Sequence, residues 1–121
     1  MLARPAPRAC GVETTESGGA TIVTIDGDVD LATVPELRTA VQAAATAGDG
    51  RPLVIDLTAV TFMDSSGLAV LLGATKAARE RDRPFAIVCP EGPARLLLAV
   101  TGLDGKLPLQ GSRAEALASV D

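Results

Sequence analysis

Apolar and polar positions change their spacing several times along this chain, and each change marks a predicted element. Ala20-Thr21-Ile22-Val23-Thr24-Ile25 is rich in β-branched residues and reads as a strand. Gly18-Gly19 ahead of it reads as a hairpin turn to a weaker edge strand near residues 10–15. Leu37, Val41 and Ala44 then recur at helical spacing. Thr33 and Glu36 supply a capping-box pattern for that helix, Pro35 is tolerated in its first turn, and Gly48 marks its end. Pro-Leu-Val-Ile-Asp-Leu over residues 52–57 is a short apolar run of the kind found in strands covered on both faces.

The second half of the chain repeats the alternation. Leu68, Leu71, Leu72 and Thr75 predict a helix running to about Arg81. Residues 85–89 read as a strand stopped by Pro90. Pro93 suits the opening turn of a third helix, and Gly102 its left-handed cap, with Leu98 and Leu103 placed for the accompanying apolar contact. Residues 106–109 read as a short edge strand because Pro108 cannot donate to a central ladder. Ser112 and Glu115 form a second capping-box pattern, introducing a last helix through Leu117 and Val120. Residues 1–9, with Pro5 and Pro7, read as a flexible tail ahead of one domain over residues 10–121. Strands alternating with helices predict an α/β fold: a mixed, mostly parallel sheet of four to five strands with about four helices.

The most informative chemistry lies where the central strand gives way to the second helix, at Phe62-Met63-Asp64-Ser65-Ser66-Gly67-Leu68. Ser or Asp at a helix start ordinarily accepts a hydrogen bond from an N–H that the first turn leaves unpaired. One of Asp64, Ser65 and Ser66 is enough for that task. Three in a row, followed by Gly67 with no side chain to shield them, point to an exposed and modifiable site. The positive helix end also suits a phosphate.

Composition narrows the function. The 121 residues contain no histidine, so a Ser-His-Asp hydrolase is excluded. The nearest lysine, Lys76, lies about three helical turns from the serines, too far to act as their base. Phe62 and Phe85 are the only aromatic residues, which leaves a core of Leu, Val, Ile and Ala. A net charge of −4 with no Tyr or Trp is unsuited to direct nucleic-acid binding. Cys10 and Cys89 form neither a disulfide framework nor a metal spacing, and Asp28 with Asp30 lacks further oxygen ligands for a metal. No phosphate-binding glycine loop is present, so no cofactor is expected. Lys76, Arg79, Arg81 and Arg83 read as the solvated end of a helix. The N-terminus lacks the apolar centre of a signal peptide, and no run approaches the ~20 apolar residues of a membrane span, so a cytoplasmic protein is expected.

Val54-Ile55-Asp56-Leu57 together with Val60-Thr61-Phe62-Met63-Asp64-Ser65-Ser66-Gly67-Leu68 resembles the signature of STAS domains, specifically bacterial anti-sigma factor antagonists. Ile25-Asp26-Gly27-Asp28-Val29-Asp30 is similar to a strand end of that family, and Pro93-Ala94-Arg95-Leu96-Leu97 to Thr101-Gly102-Leu103 resembles its third helix and glycine stop. The resemblance implies a regulatory protein and no enzyme. The unphosphorylated chain would bind an anti-sigma factor that is also a serine kinase, freeing a sigma factor. The kinase would then phosphorylate Ser65 and dissolve the complex, and a metal-dependent serine phosphatase would reverse the step. By motif position the resemblance implies Ser65 as phosphosite, with Asp64, Ser66 and Gly67 beside it and Asp30 on the contact surface. No nucleic acid, membrane, metal or cofactor is expected as a direct partner, and a weak dimer stays open. The alternative is a non-phosphorylated STAS subunit of a lipid- or anion-transport assembly, against which the intact Asp-Ser-Ser-Gly run argues. Phosphorylation adds roughly −1.5 to −2 charges. One new like-charge contact near 4 Å costs on the order of 4 kcal/mol at an effective dielectric of 20, about a thousandfold in affinity.

Overall fold

The computed structural model describes residues 10–47 and 50–121. Its elements in order are β1 (Gly11–Ser17), β2 (Ala20–Val29), α1 (Val34–Thr46), β3 (Leu53–Met63), α2 (Ser65–Glu80), β4 (Phe85–Val88), α3 (Pro93–Val100), β5 (Leu109–Gln110) and α4 (Arg113–Val120). The strands form one sheet in the order β1-β2-β3-β4-β5. β1 runs antiparallel to β2 through the Gly18-Gly19 turn, and the remaining neighbours are parallel. This is the mixed, mostly parallel α/β domain that the alternation of strands and helices predicts.

Strand alternation divides the core into two layers. Val23, Ile25, Leu53, Ile55 and Ile87 face one side, where they pack with Leu37 and Val41 of α1, Leu68 and Leu71 of α2, and Leu98 of α3. Ile22, Val54, Ala86 and Val88 face the other, against Ala116 and Val120 of α4. Both faces of the inner strands are therefore covered, which is why residues 52–57 read as an unbroken apolar run. The buried core is aliphatic, and the two rings stay outside it: Phe85 is half-buried and Phe62 exposed.

Four local expectations need correction. β3 continues to Met63, well past the end of its apolar run, because register shifts between Thr24 and Asp26 and between Gly27 and Asp28 put extra residues into β3. Its burial then falls into steps of three, with Leu57, Val60 and Met63 inside, and the period-two signal is lost. Thr33 makes no side-chain cap on α1. Its hydroxyl is held by the Asp28 and Asp30 carbonyls at 3.1 and 3.2 Å, while Asp30 Oδ1 accepts the Ala32 and Thr33 N–H groups at 3.0 and 3.1 Å. Arg83 leaves the expected solvated cluster. It is buried and donates to the carbonyls of Ala44 and Arg51, tying the end of α1 to the approach to β3. The last edge strand falls on Leu109 and Gln110, one step beyond Pro108.

Other caps follow expectation. Gly102 adopts φ +75°, with its N–H on the Ala99 carbonyl at 3.1 Å and the Leu103 N–H on the Leu98 carbonyl at 2.9 Å, the paired bonds of a Schellman motif. Ser112 Oγ accepts the Glu115 N–H at 3.1 Å. The expected tail over residues 1–9 and the helix stop at Gly48 lie outside the described residues.

Candidate functional site

The site forms where β2 and β3 end side by side. Val29 pairs with Met63, and the Asp64 N–H continues the ladder to the Val29 carbonyl at 3.0 Å. That bond fixes the turn from which α2 starts. Asp64 is the N-cap residue, with extended backbone at φ −106°, ψ −174°, and its Oδ1 accepts the Ser66 N–H at 2.9 Å. The Gly67 N–H bonds the Asp64 carbonyl at 3.1 Å. Two of the amides available to an anion at this helix end are thus taken by Asp64 itself, so a phosphate here would sit beside the carboxylate instead of in an empty N–H cradle.

The three polar residues in a row divide the work. Asp64 caps. Ser66 is half-buried and donates its hydroxyl to Asp64 Oδ1 as well. Ser65 is exposed, and its hydroxyl makes no hydrogen bond among the described residues. The Ser66 hydroxyl, foremost, holds the Asp64 carboxyl below the ordinary carboxylate range. Slight burial opposes this, while the backbone N–H groups of Ser66, Gly67 and Leu31 add to it.

Gly67 is corrected by its surroundings. It is buried, and a Cβ built on it would lie 2.7 Å from Met63 Cγ and 2.9 Å from Val29 Cγ1. Glycine is required there by packing of the first turn of α2 on the strand ends, and not to leave the serines unshielded. Asp30 is half-buried and shapes the start of α1 through its bonds to Ala32 and Thr33. That is the local role of a helix-start polar group, on a loop adjoining the Asp64 turn.

Two residues that the sequence pattern left unmarked stand out on this edge. Leu31, one residue after Asp30, is 77% exposed, and Phe62, two residues before Asp64, is 48% exposed. Along α2, Ala69, Leu72 and Gly73 continue the exposed face that begins at Ser65, four, seven and eight positions on. An exposed hydroxyl at the same end of the domain as exposed apolar side chains is the makeup of a docking surface. Among the described residues no group of three or more His, Cys, Asp or Glu is placed to hold a metal ion. No helix of the described residues is long and apolar enough to cross a membrane.

Known proteins share the fold. The family model of the STAS domain matches residues 11–116. An anti-sigma-B factor antagonist from Listeria monocytogenes is 31% identical over 91 residues, covering 75% of this chain and 79% of the relative. An anti-sigma F factor antagonist from Paenibacillus polymyxa is 28% identical over 110 residues, 91% of this chain and 94% of the relative. A crystal structure of an anti-sigma factor antagonist from Mycobacterium paratuberculosis superposes with a TM-score of 0.82 at 32% identity, covering 95% of this chain and 97% of the other. The class so defined is a small α/β regulatory binding protein, not an enzyme. The chain belongs to the STAS domain family, in its branch of anti-sigma factor antagonists.

Proposed function

We propose that this chain is a phosphorylation-controlled partner switch with Ser65 as its modified residue. In the unmodified state it binds an anti-sigma factor that is also a serine kinase, and a sigma factor is freed. The kinase transfers the γ-phosphoryl group of magnesium-bound ATP to Ser65 Oγ: the new O–P bond forms, the bond to the bridging oxygen breaks, ADP leaves, and the hydroxyl proton passes to the kinase's base. The complex then separates, and a metal-dependent serine phosphatase restores the hydroxyl. Such a regulator acts where RNA polymerase is, in the bacterial cytoplasm.

The observation that carries this reading is the contrast at the start of α2, where Ser65 is exposed with an uncommitted hydroxyl among neighbours that are capped or buried. Asp30, Asp64 and Ser66 flank it on the proposed contact surface, with the Leu31 and Phe62 side chains as its apolar part. Phosphate gains only about 0.3–1 kcal/mol from an exposed helix N-terminus. Within the free chain that gain is offset by the Asp64 carboxylate, so the fold tolerates the modification with little net change. A docked partner removes water from the same place, and there the added charge is costly to leave unpaired.

The test is binding of the anti-sigma factor to unmodified and Ser65-phosphorylated protein. Retention of the unmodified form and loss of the phosphorylated one support the switch. Capture of a transporter ATPase in place of an anti-sigma factor, with no phosphate on Ser65 in cells, would show a transport-assembly subunit instead.

A further inference from the structure

We infer that Asp64 selects between the two adjacent serines, holding the Ser66 hydroxyl on its carboxylate so that Ser65 is the only acceptor of phosphate. This inference rests on the proposed function of the same turn. It addresses what that function leaves open: Ser65 and Ser66 are the same residue type, one position apart, in the first turn of one helix. Neighbouring Cα atoms are only about 3.8 Å apart. A kinase docked on this edge has both within reach.

The difference lies in what each hydroxyl must give up. Ser66 places its N–H and its O–H on the same oxygen, Asp64 Oδ1, the N–H at 2.9 Å. Transfer to Ser66 would require its proton to leave that carboxylate for the kinase's base. It would also bring the polyanionic triphosphate onto an oxygen bonded directly to the carboxylate, whereas the Ser65 oxygen has no bond to it. Asp64 is a poor base for the task itself, since it is held below the ordinary carboxylate range, first by the Ser66 hydroxyl and then by surrounding amides. For Ser65 nothing has to be broken, because its exposed hydroxyl has no hydrogen bond among the described residues.

Asp64 cannot easily turn away. Its N–H is fixed to the Val29 carbonyl at 3.0 Å and its own carbonyl holds the Gly67 N–H at 3.1 Å. Its side chain receives both Ser66 donors. Asp64 is thus a positioning residue that acts through Ser66.

The experiment is to express the full chain and its variants in the cells it comes from, recover each, and map phosphate by fragmentation mass spectrometry. Wild type is expected to carry phosphate on Ser65. Asp64→Gly keeps a residue tolerated at an N-cap but removes the carboxylate. It is expected to raise the Ser66-to-Ser65 phosphate ratio by at least about tenfold, equivalent to about 1.4 kcal/mol. Asp64→Asn, which retains an oxygen for the Ser66 N–H without the charge, moves the ratio the same way and guards against a folding defect in the glycine variant. Asp64→Gly with Ser66→Ala returns all phosphate to Ser65. Phosphate confined to Ser65 in both Asp64 variants overturns the inference while leaving the switch intact, as does wild type carrying comparable phosphate on both serines. Wild type without phosphate on either serine overturns the switch itself, and the selection by Asp64 with it.

Discussion

Gly67 packs so closely on Met63 that a Cβ added to the glycine would lie 2.7 Å from Met63 Cγ. Met63 is flexible enough to give way, but Val29 Cγ1, at 2.9 Å, belongs to a stiff β-branched residue at the end of β2. Gly67→Val is therefore expected to cost about 1–3 kcal/mol of stability by overpacking. Gly67→Ala should cost less, because alanine recovers up to about 1 kcal/mol of helix propensity. Urea unfolding of the three proteins checks this, and an unchanged midpoint for Gly67→Val would contradict the close contact.

Ser65→Ala should fold and bind the anti-sigma factor as the unmodified chain does, because the exposed hydroxyl supports no internal bond. Ser65→Asp should bind about tenfold or more weakly, and by less than authentic phosphate, since aspartate supplies one charge and phosphoserine roughly −1.5 to −2. Titration calorimetry distinguishes the two. Undiminished binding of Ser65→Asp would remove electrostatic repulsion as the mechanism.

Leu31, 77% exposed, has little packing to lose, whereas Phe62, 48% exposed and part of β3, keeps some of its ring against the protein, so Leu31 separates docking from folding more cleanly. Leu31→Glu is expected to leave the thermal midpoint within about 2 °C, and Phe62→Ser to lower it by more because it removes packed surface and strand propensity. Each should weaken partner binding by about 1–2 kcal/mol, roughly tenfold, as apolar anchors of an interface do. Wild-type affinity in both variants would place the partner elsewhere.

On the opposite face, Asp56 of β3 is buried and receives Arg113 Nε and Nη2 at 3.0 and 2.8 Å, together with the Thr58 N–H and hydroxyl at 2.9 and 2.6 Å. Burial pushes the carboxyl up, but the two Thr58 bonds and Arg113 outweigh it, and the folded-state value is lowered. A carboxyl lowered by folding stabilises the fold above its unfolded value of about 4, and that contribution is lost as pH falls through the folded value. Stability should thus decline as the pH drops below about 4, and Asp56→Asn should flatten the decline. At neutral pH, Arg113→Ala should cost about 1–2 kcal/mol by leaving the buried carboxylate short of donors, toward the low end because Arg113 is half-exposed. Denaturant titrations between pH 3 and 7 measure both effects.

The architecture was legible because both periodicities are clean: the apolar runs of β2, the first half of β3 and β4 alternate with helical stripes such as Leu68, Leu71 and Thr75. The far half of β3 was not, because its extra residues shift the buried set to every third position, a spacing that belongs to no regular strand. Thr33 with Glu36 matched a capping box only as spelling, since the Thr33 hydroxyl is turned back onto the Asp28 and Asp30 carbonyls. Arg83 looked like one more surface cation because nothing local marks the distant carbonyls of Ala44 and Arg51 that it holds.

At the site, the polar run at the strand–helix junction identified the place but not the roles. Asp64, Ser65 and Ser66 are all good N-cap residues, and only the ladder bond from Asp64 to Val29 decides which of them caps and which is left open. Leu31 and Phe62 carried no signal, since an isolated apolar residue is common at both exposed and buried positions.

The most direct measurement is the dissociation constant of the anti-sigma factor for the chain before and after stoichiometric phosphorylation of Ser65, at fixed ionic strength. The expected result is a loss of at least about tenfold and up to about a thousandfold, the range set by one desolvated like-charge contact. Equal affinity for the two forms would contradict a switch at this hydroxyl.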